Sequence, residues 1–436
     1  FSDASASADD PAAYTFDELD KVVQGLFSDI YTPKTVLYQA NNHLGGDCVV
    51  DANGQLLGDR PTDINQWSAV VNNVLRHLNG GLLSSNNPLD APFISTALST
   101  EVRAVEFITD PLNRGGYASV EDVVSDFAVW AASVKGAFPN NGNEPVMTVV
   151  SPTMPVQSNA DLNGHPIRQF MDGLVALNQA QDLDALAFSY AGDDPTEAGA
   201  IASSLRTMMD GHGLQRVALW AVGYQPAGTL KSADRSSAAL WSARAGALSN
   251  AFGTVWQGLV DAAVYDRGDR RPLCEGTAGC DVTQVEESAL WSGDGSWRPA
   301  GVAWIPWRYL DGHTDVSVTA SSEDPTNPIW AIAVSDRTQC SDASATGCGR
   351  VHVLITQPGI DESSATTSVL LKVSGLEALA GPDGQVRIHR LSVTSSTTGS
   401  SLTDSRVFSV EDGTIIWPLD SRNPSTEFLT LEKDGS

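Results

Sequence analysis

A chain of 436 residues, 42% of them hydrophobic, is long enough to bury the cores of two domains. Its 53 Asp and Glu against 26 Lys and Arg leave a formal net charge of -27, which repels nucleic acid phosphates and anionic membranes and excludes both as partners. No run approaches the roughly 18 apolar residues of a membrane span, and P-loop, GxGxxG, HExxH, GxSxG and EF-hand patterns are all missing, so no cofactor and no metal are expected.

The opening Phe1 to Asp10 is rich in Ser, Ala and Asp and reads as a flexible segment, 1–15, of the kind left after processing. Phe16 to Phe27 has helical apolar spacing and Pro33 to Ala40 reads as a buried strand; Ile64, Trp67, Val70, Val71, Val74, Leu75 and Leu78 then mark an amphipathic helix. His77 fits a helix-end structural residue better than a ligand. Val105-Glu106-Phe107-Ile108-Thr109-Asp110-Pro111 reads as a strand stopped by a proline, and Ser119 ahead of Glu121 and Asp122 opens the next helix. A strand ending in a carboxylate and followed by a helix is one unit of a parallel α/β fold, in which barrels place their chemistry at strand C-termini.

The same alternation continues. Val146 to Val150, Asp184 to Tyr190, Arg216 to Tyr224 and Asp261 to Gly268 read as strands, with helices near Arg168 to Gln179, from Pro195, and from Trp241 to Trp256 between them. Asp194, with its neighbour Asp193, fits the N-cap of the helix at Pro195 better than a site. From about Leu290 the texture changes to short alternating strands, Val316 to Ala320, Trp330 to Ser335, Arg350 to Gln357, Thr367 to Val373, Val386 to Val393 and Phe428 to Leu431, the pattern of a β-sandwich. The expected divisions are 16–289 for a (β/α) barrel and 290–436 for a β-sandwich packed on it.

On these residues the chain resembles clan A glycoside hydrolases, and family 39 in particular, the β-xylosidases and α-L-iduronidases. That family ends a strand in Phe-Glu-Val-Trp-Asn-Glu-Pro, its last Glu being the general acid/base. Glu106 matches the first Glu, Thr109 stands for the Asn, and Asp110 stands for the catalytic Glu. The family's nucleophile strand ends in Thr-Glu, where this chain has Val222 and Gly223. Asn143-Glu144-Pro145 looks like the catalytic tripeptide, but it precedes a strand and so falls at the barrel's other end. The resemblance implies a (β/α)8 TIM-type barrel that starts after its second strand in this chain. A separate N-terminal fragment or partner chain is then expected to complete it, unless the Ser/Ala/Asp-rich start is simply a loop.

Cys274 and Cys280, and Cys340 and Cys348, bracket short loops, and the spacing predicts two local disulfides and a secreted or cell-surface location. Cys48 is left as a free thiol or a link to another polypeptide. Retaining glycoside hydrolysis needs two carboxylates about 5 Å apart, and inverting hydrolysis about 6.5 to 9.5 Å. With Asp for Glu at 110 and Gly for Glu at 223, the expectation is a non-catalytic glycan-binding or structural assembly module. The alternative is an active glycosidase with Asp110 as acid/base and a relocated partner such as Asp266, Asp193 or Glu106. Tyr190, Trp220 and Tyr224, with Glu106, Thr109 and Asp266, are the expected sugar contacts.

Overall fold

The computed structural model describes residues 7–17, 19–20, 36–39, 49–50, 56–57, 60–79, 102–141, 145–226, 238–265, 299–310, 316–322, 328–335, 349–359, 367–380, 384–394, 404–421 and 424–434. In the first half strands and helices alternate: β1 (Val36–Gln39), a small β2 (Val49–Val50) and β3 (Leu56–Leu57) pair, α1 (Ile64–Asn79), β4 (Val102–Glu106), α2 (Val120–Ala137), β5 (Thr148–Val150), β6 (Met154–Pro155) and α3 (Pro166–Ala176). They continue through β7 (Ala185–Ser189), β8 (Ala191–Gly192), α4 (Pro195–Gly211), β9 (Ala218–Pro226), α5 (Ala238–Trp256) and β10 (Ala262–Tyr265). The strands pair in the order β1-β4-β5-β7-β9-β10, all parallel, in a curled sheet that forms part of a TIM barrel.

Strand alternation gives this sheet two unlike faces. Val105, Phe107, Val149, Leu186, Phe188 and Leu219 point to the helices, where Phe107 meets Trp67, Phe127 and Trp130 at ring separations of 5.5, 5.8 and 5.2 Å. Ala104, Val150, Ala185, Ala187, Trp220 and Val222 line the concave face. Small side chains there leave Trp220, 8% exposed, as the bulk of that face among the described residues.

Sequence sets the helix ends locally. The Ser119 hydroxyl accepts from the Asp122 amide at 3.2 Å, and Asp194 accepts from Thr196 at 2.8 Å, the capping role read for it from sequence. His165 caps α3 through Nδ1, which accepts from the Ile167 N–H at 3.2 Å while Nε2 donates to the Pro155 carbonyl at 2.9 Å. Burial holds this imidazole below its ordinary range, against the Pro155 carbonyl, which acts to raise it. Protonation would put a hydrogen on the nitrogen that accepts the cap. As pH falls the unfolded chain, titrating near 6.5, takes the proton first. The cap's contribution of about 1 kcal/mol is therefore present above that pH and lost below it. We expect His165→Asn, which puts a capping oxygen in place of Nδ1 and does not titrate, to lose less thermal stability than the parent between about pH 7.5 and 5.

At the N-terminal end of the sheet one device is used twice. Asp184 accepts the Val149 N–H at 2.7 Å and the Lys135 ammonium at 2.5 Å; Asp261 accepts the Leu219 N–H at 2.7 Å and pairs with Arg206. Each aspartate fastens the start of its strand to the neighbouring strand and to a preceding helix. The first turns of the chain dock here as well: from Ser7 on, Ala8, Ala13 and Tyr14 are buried, and the Asn73 amide donates to the Ala8 carbonyl at 2.8 Å. His77 is structural, 1% exposed, stacked on Phe16 and 2.7 Å from Asp20.

The second half begins with α6 (Pro299–Trp304) and becomes all-β: β11 (Ser317–Ser322), β12 (Trp330–Ser335), β13 (Val351–Gln357), β14 (Thr367–Ser374), β15 (Gln385–Val393), β16 (Asp404–Ser409), β17 (Thr414–Ser421) and β18 (Ser425–Lys433). Antiparallel sheets β11-β14-β17 and β12-β13-β18-β15-β16 enclose Val353, Ile355, Val369, Leu371, Leu419, Leu429 and Leu431. The outer face of the larger sheet, with Ile332, Leu354, Leu391 and Phe428, rests on Val302 and Ala303 of α6. Helix α5 lies between barrel and sandwich. Its Gly246 and Gly253 approach Ala303 and Trp307 too closely for any side chain, and the Asn250 amide reaches the Ala303 carbonyl at 2.8 Å and the Thr426 hydroxyl at 3.2 Å.

Candidate functional site

The C-terminal ends of β4 and β5 meet at a carboxylate. Glu106 lies on the face of Ala104, is fully buried, and accepts at Oε1 from the Thr109 hydroxyl at 3.0 Å and the Thr153 N–H at 3.1 Å. The Thr153 carbonyl in turn accepts from the Asp110 N–H at 2.8 Å. Glu106, Thr109, Asp110 and Thr153 thus form one hydrogen-bonded unit across two strand ends. Thr153 was not singled out from the sequence, because its signal is only a position at a strand's end.

Asp110 turns the chain. Its φ is 47°, left-handed, a conformation aspartate tolerates better than most residues, and its carbonyl accepts from the amides of Asn113, Arg114 and Gly115. The carboxyl accepts from the Asn113 amide at 2.8 Å and lies 3.8 Å from Arg114 Nε. Burial pushes the carboxyl up, against the Asn113 and Arg114 contacts, which hold it down. A carboxyl raised by burial is what a general acid needs near neutral pH.

Across the sheet, Gly223 sits at a bulge. The pairing of β10 with β9 runs Val264 to Val222 and then Tyr265 to Tyr224, skipping Gly223, whose φ is 65°. A side chain at this position would be strained whatever its chemistry. The extra residue also swings Tyr224 to the helix side, where it is 2% exposed and packs edge-on to Trp256 at 5.1 Å and flat on Trp304 at 6.2 Å.

Tyr190 is likewise 3% exposed, edge-on to Phe252, with its hydroxyl donating to the Asp194 carbonyl at 3.2 Å. Burial raises that phenol to about 12. Of the aromatic residues singled out from sequence, Trp220 is the one on the concave face. Asp193 is held by Arg244, 3.0 Å away, and the same guanidinium donates through Nε to the Pro358 carbonyl of the sandwich at 3.1 Å. Asp266 falls outside the described residues, as do Cys48, Cys274, Cys280, Cys340, Cys348, Asn143 and Glu144. Among the described residues no group of His, Cys, Asp and Glu could hold a metal ion, and no helix is long and apolar enough to cross a membrane.

Solved structures share this fold over most of their length. A glucosidase from Croceicoccus marinus superposes with a TM-score of 0.66 at 18% identity, over 98% of this chain and 84% of that one. The fold is glycoside-hydrolase-like. A bacterial orthologue of human α-L-iduronidase matches with a TM-score of 0.58 at 11% identity, over 100% of this chain and 74% of that one. N2152 from Neocallimastix frontalis matches at 0.56 and 13%, over 93% and 91%. No family model and no curated protein matches the sequence. Glu106, Asp110 and Thr153 come together at the mouth of this fold's barrel.

Proposed function

We propose that this chain is a secreted, glycan-binding protein on a glycoside-hydrolase-like fold that does not cleave its ligand by the two-carboxylate route. The observation that carries this reading is Gly223: the position that the family 39 resemblance gives to the nucleophile has no side chain, and its φ of 65° strains any residue that would supply one. Glu106 supports it, because a fully buried carboxylate whose Oε1 already accepts two hydrogen bonds is built into the barrel. The net charge of -27 favours a neutral glycan over a uronate-rich or sulfated one. Secretion rests on the two predicted local disulfides. Equilibrium dialysis against neutral gluco- and xylo-oligosaccharides is expected to give saturable binding, with the oligosaccharides recovered uncut.

One observation favours a second reading, an active glycosidase: the Asp110 carboxyl is raised by burial at the end of a barrel strand. That reading requires release of reducing sugar with a rate that falls on the alkaline side as Asp110 ionises, and the loss of that activity in Asp110→Asn. Sugar release of this kind would overturn the non-catalytic reading; intact oligosaccharide with either protein supports it.

A further inference from the structure

Thr153 spends its whole backbone on assembling the barrel mouth. Its N–H goes to Glu106 and its carbonyl receives the Asp110 N–H, so the residue is pinned between the two strand ends. Its side-chain hydroxyl, by contrast, has no hydrogen-bond partner among the described residues, although Thr153 is 1% exposed. Leaving a buried hydroxyl unpaired is costly, and native interiors fill such positions with water or ligand. A methyl-bearing side chain of the same shape would pack there without that cost.

We infer that the Thr153 hydroxyl marks a ligand-hydroxyl position at the base of the barrel mouth, filled by water in the free protein and by a sugar hydroxyl in the complex. The chemistry selects the occupant. The Thr153 hydroxyl both donates and accepts, as another hydroxyl does. The Glu106 carboxylate bound to the same residue disfavours a phosphate, sulfate or carboxylate there. An apolar group would leave the Thr153 hydroxyl as unpaired as before. The inference rests on the glycan-binding reading and deepens it, naming a specificity residue that the family resemblance does not point to.

The test compares the parent with Thr153→Val, Thr153→Ser and Thr153→Ala, using the neutral oligosaccharide that binds best. Thr153→Val keeps the branched shape and the backbone bonds, so it is expected to melt at or above the parent's temperature and to bind about tenfold more weakly. Thr153→Ser is expected to restore most of the affinity. If the valine variant fails to fold, Thr153→Ala set against Thr153→Ser makes the same comparison. Equal affinity in the variants with and without the hydroxyl, in a parent that binds, would overturn this assignment alone and leave the position to water. A parent that binds none of the oligosaccharides would instead overturn the glycan reading, and the assignment with it.

Discussion

Replacing Trp256 by alanine is expected to cost about 4 kcal/mol of stability, among the largest losses available to a single substitution here. The indole is 2% exposed and stands where four elements meet. It touches Phe188 of β7 at 6.0 Å, Tyr224 of β9 at 5.1 Å and Phe252 of its own helix at 5.6 Å. Its N–H donates to the Ala198 carbonyl of α4 at 2.9 Å. Alanine removes the packing and this hydrogen bond, while the surrounding rings cannot collapse into the gap without pulling the bulge at Gly223 out of place. Trp256→Phe keeps most of the packing and should cost about 1 to 2 kcal/mol, mainly for the lost hydrogen bond. Urea titrations with unchanged slope would read both. An alanine variant within about 1 kcal/mol of the parent would mean that the bulge and its aromatic support are not coupled.

The second large effect lies in the sandwich. Glu427, 1% exposed, accepts from Arg390 Nε at 2.9 Å and Nη2 at 3.0 Å, and from the Ser392 hydroxyl at 2.9 Å. Removing one partner of a buried pair strands the other, which costs about 3 to 5 kcal/mol; replacing both by apolar residues of like volume is often close to neutral. Glu427→Leu alone, or Arg390→Met alone, should therefore destabilise far more than the two changes together. Chemical denaturation of the four proteins forms a cycle, and additive losses would show that the two residues do not act as a pair.

How much was readable in advance follows from which forces are local. The helix at Val120 announces itself through Ser119 and its apolar spacing, and the helix at Pro195 through Asp194, because a cap is a contact within three residues. Parallel strands such as Ala185–Ser189 read as continuous apolar runs since both faces are buried. Two sandwich strands gave no such signal. β16 is polar and lies at the edge of its sheet; β17 carries Pro418, which argues against a central strand, and it too proves to be an edge. At the mouth, the sequence pointed to Glu106, Thr109 and Asp110, but their link to Thr153 spans residues from another strand. The same limit applies to the tyrosines. Tyr190 and Tyr224 stand near strand ends, and only the loop at Asp194 and the bulge at Gly223 turn their rings to the helix side.

Helix α5 has one further consequence. Barrel strands lie on one side of it, and α6 and the five-stranded sheet on the other; Arg244 and Asn250 extend hydrogen bonds from it into both halves. A wall held in common leaves no hinge, so the two halves cannot rock against each other as loosely tethered domains do. Their folding is concerted for the same reason. Neither half can finish its surface until the other has arrived, and evolution could not exchange the sandwich for another module without rewriting the helix that both lean on.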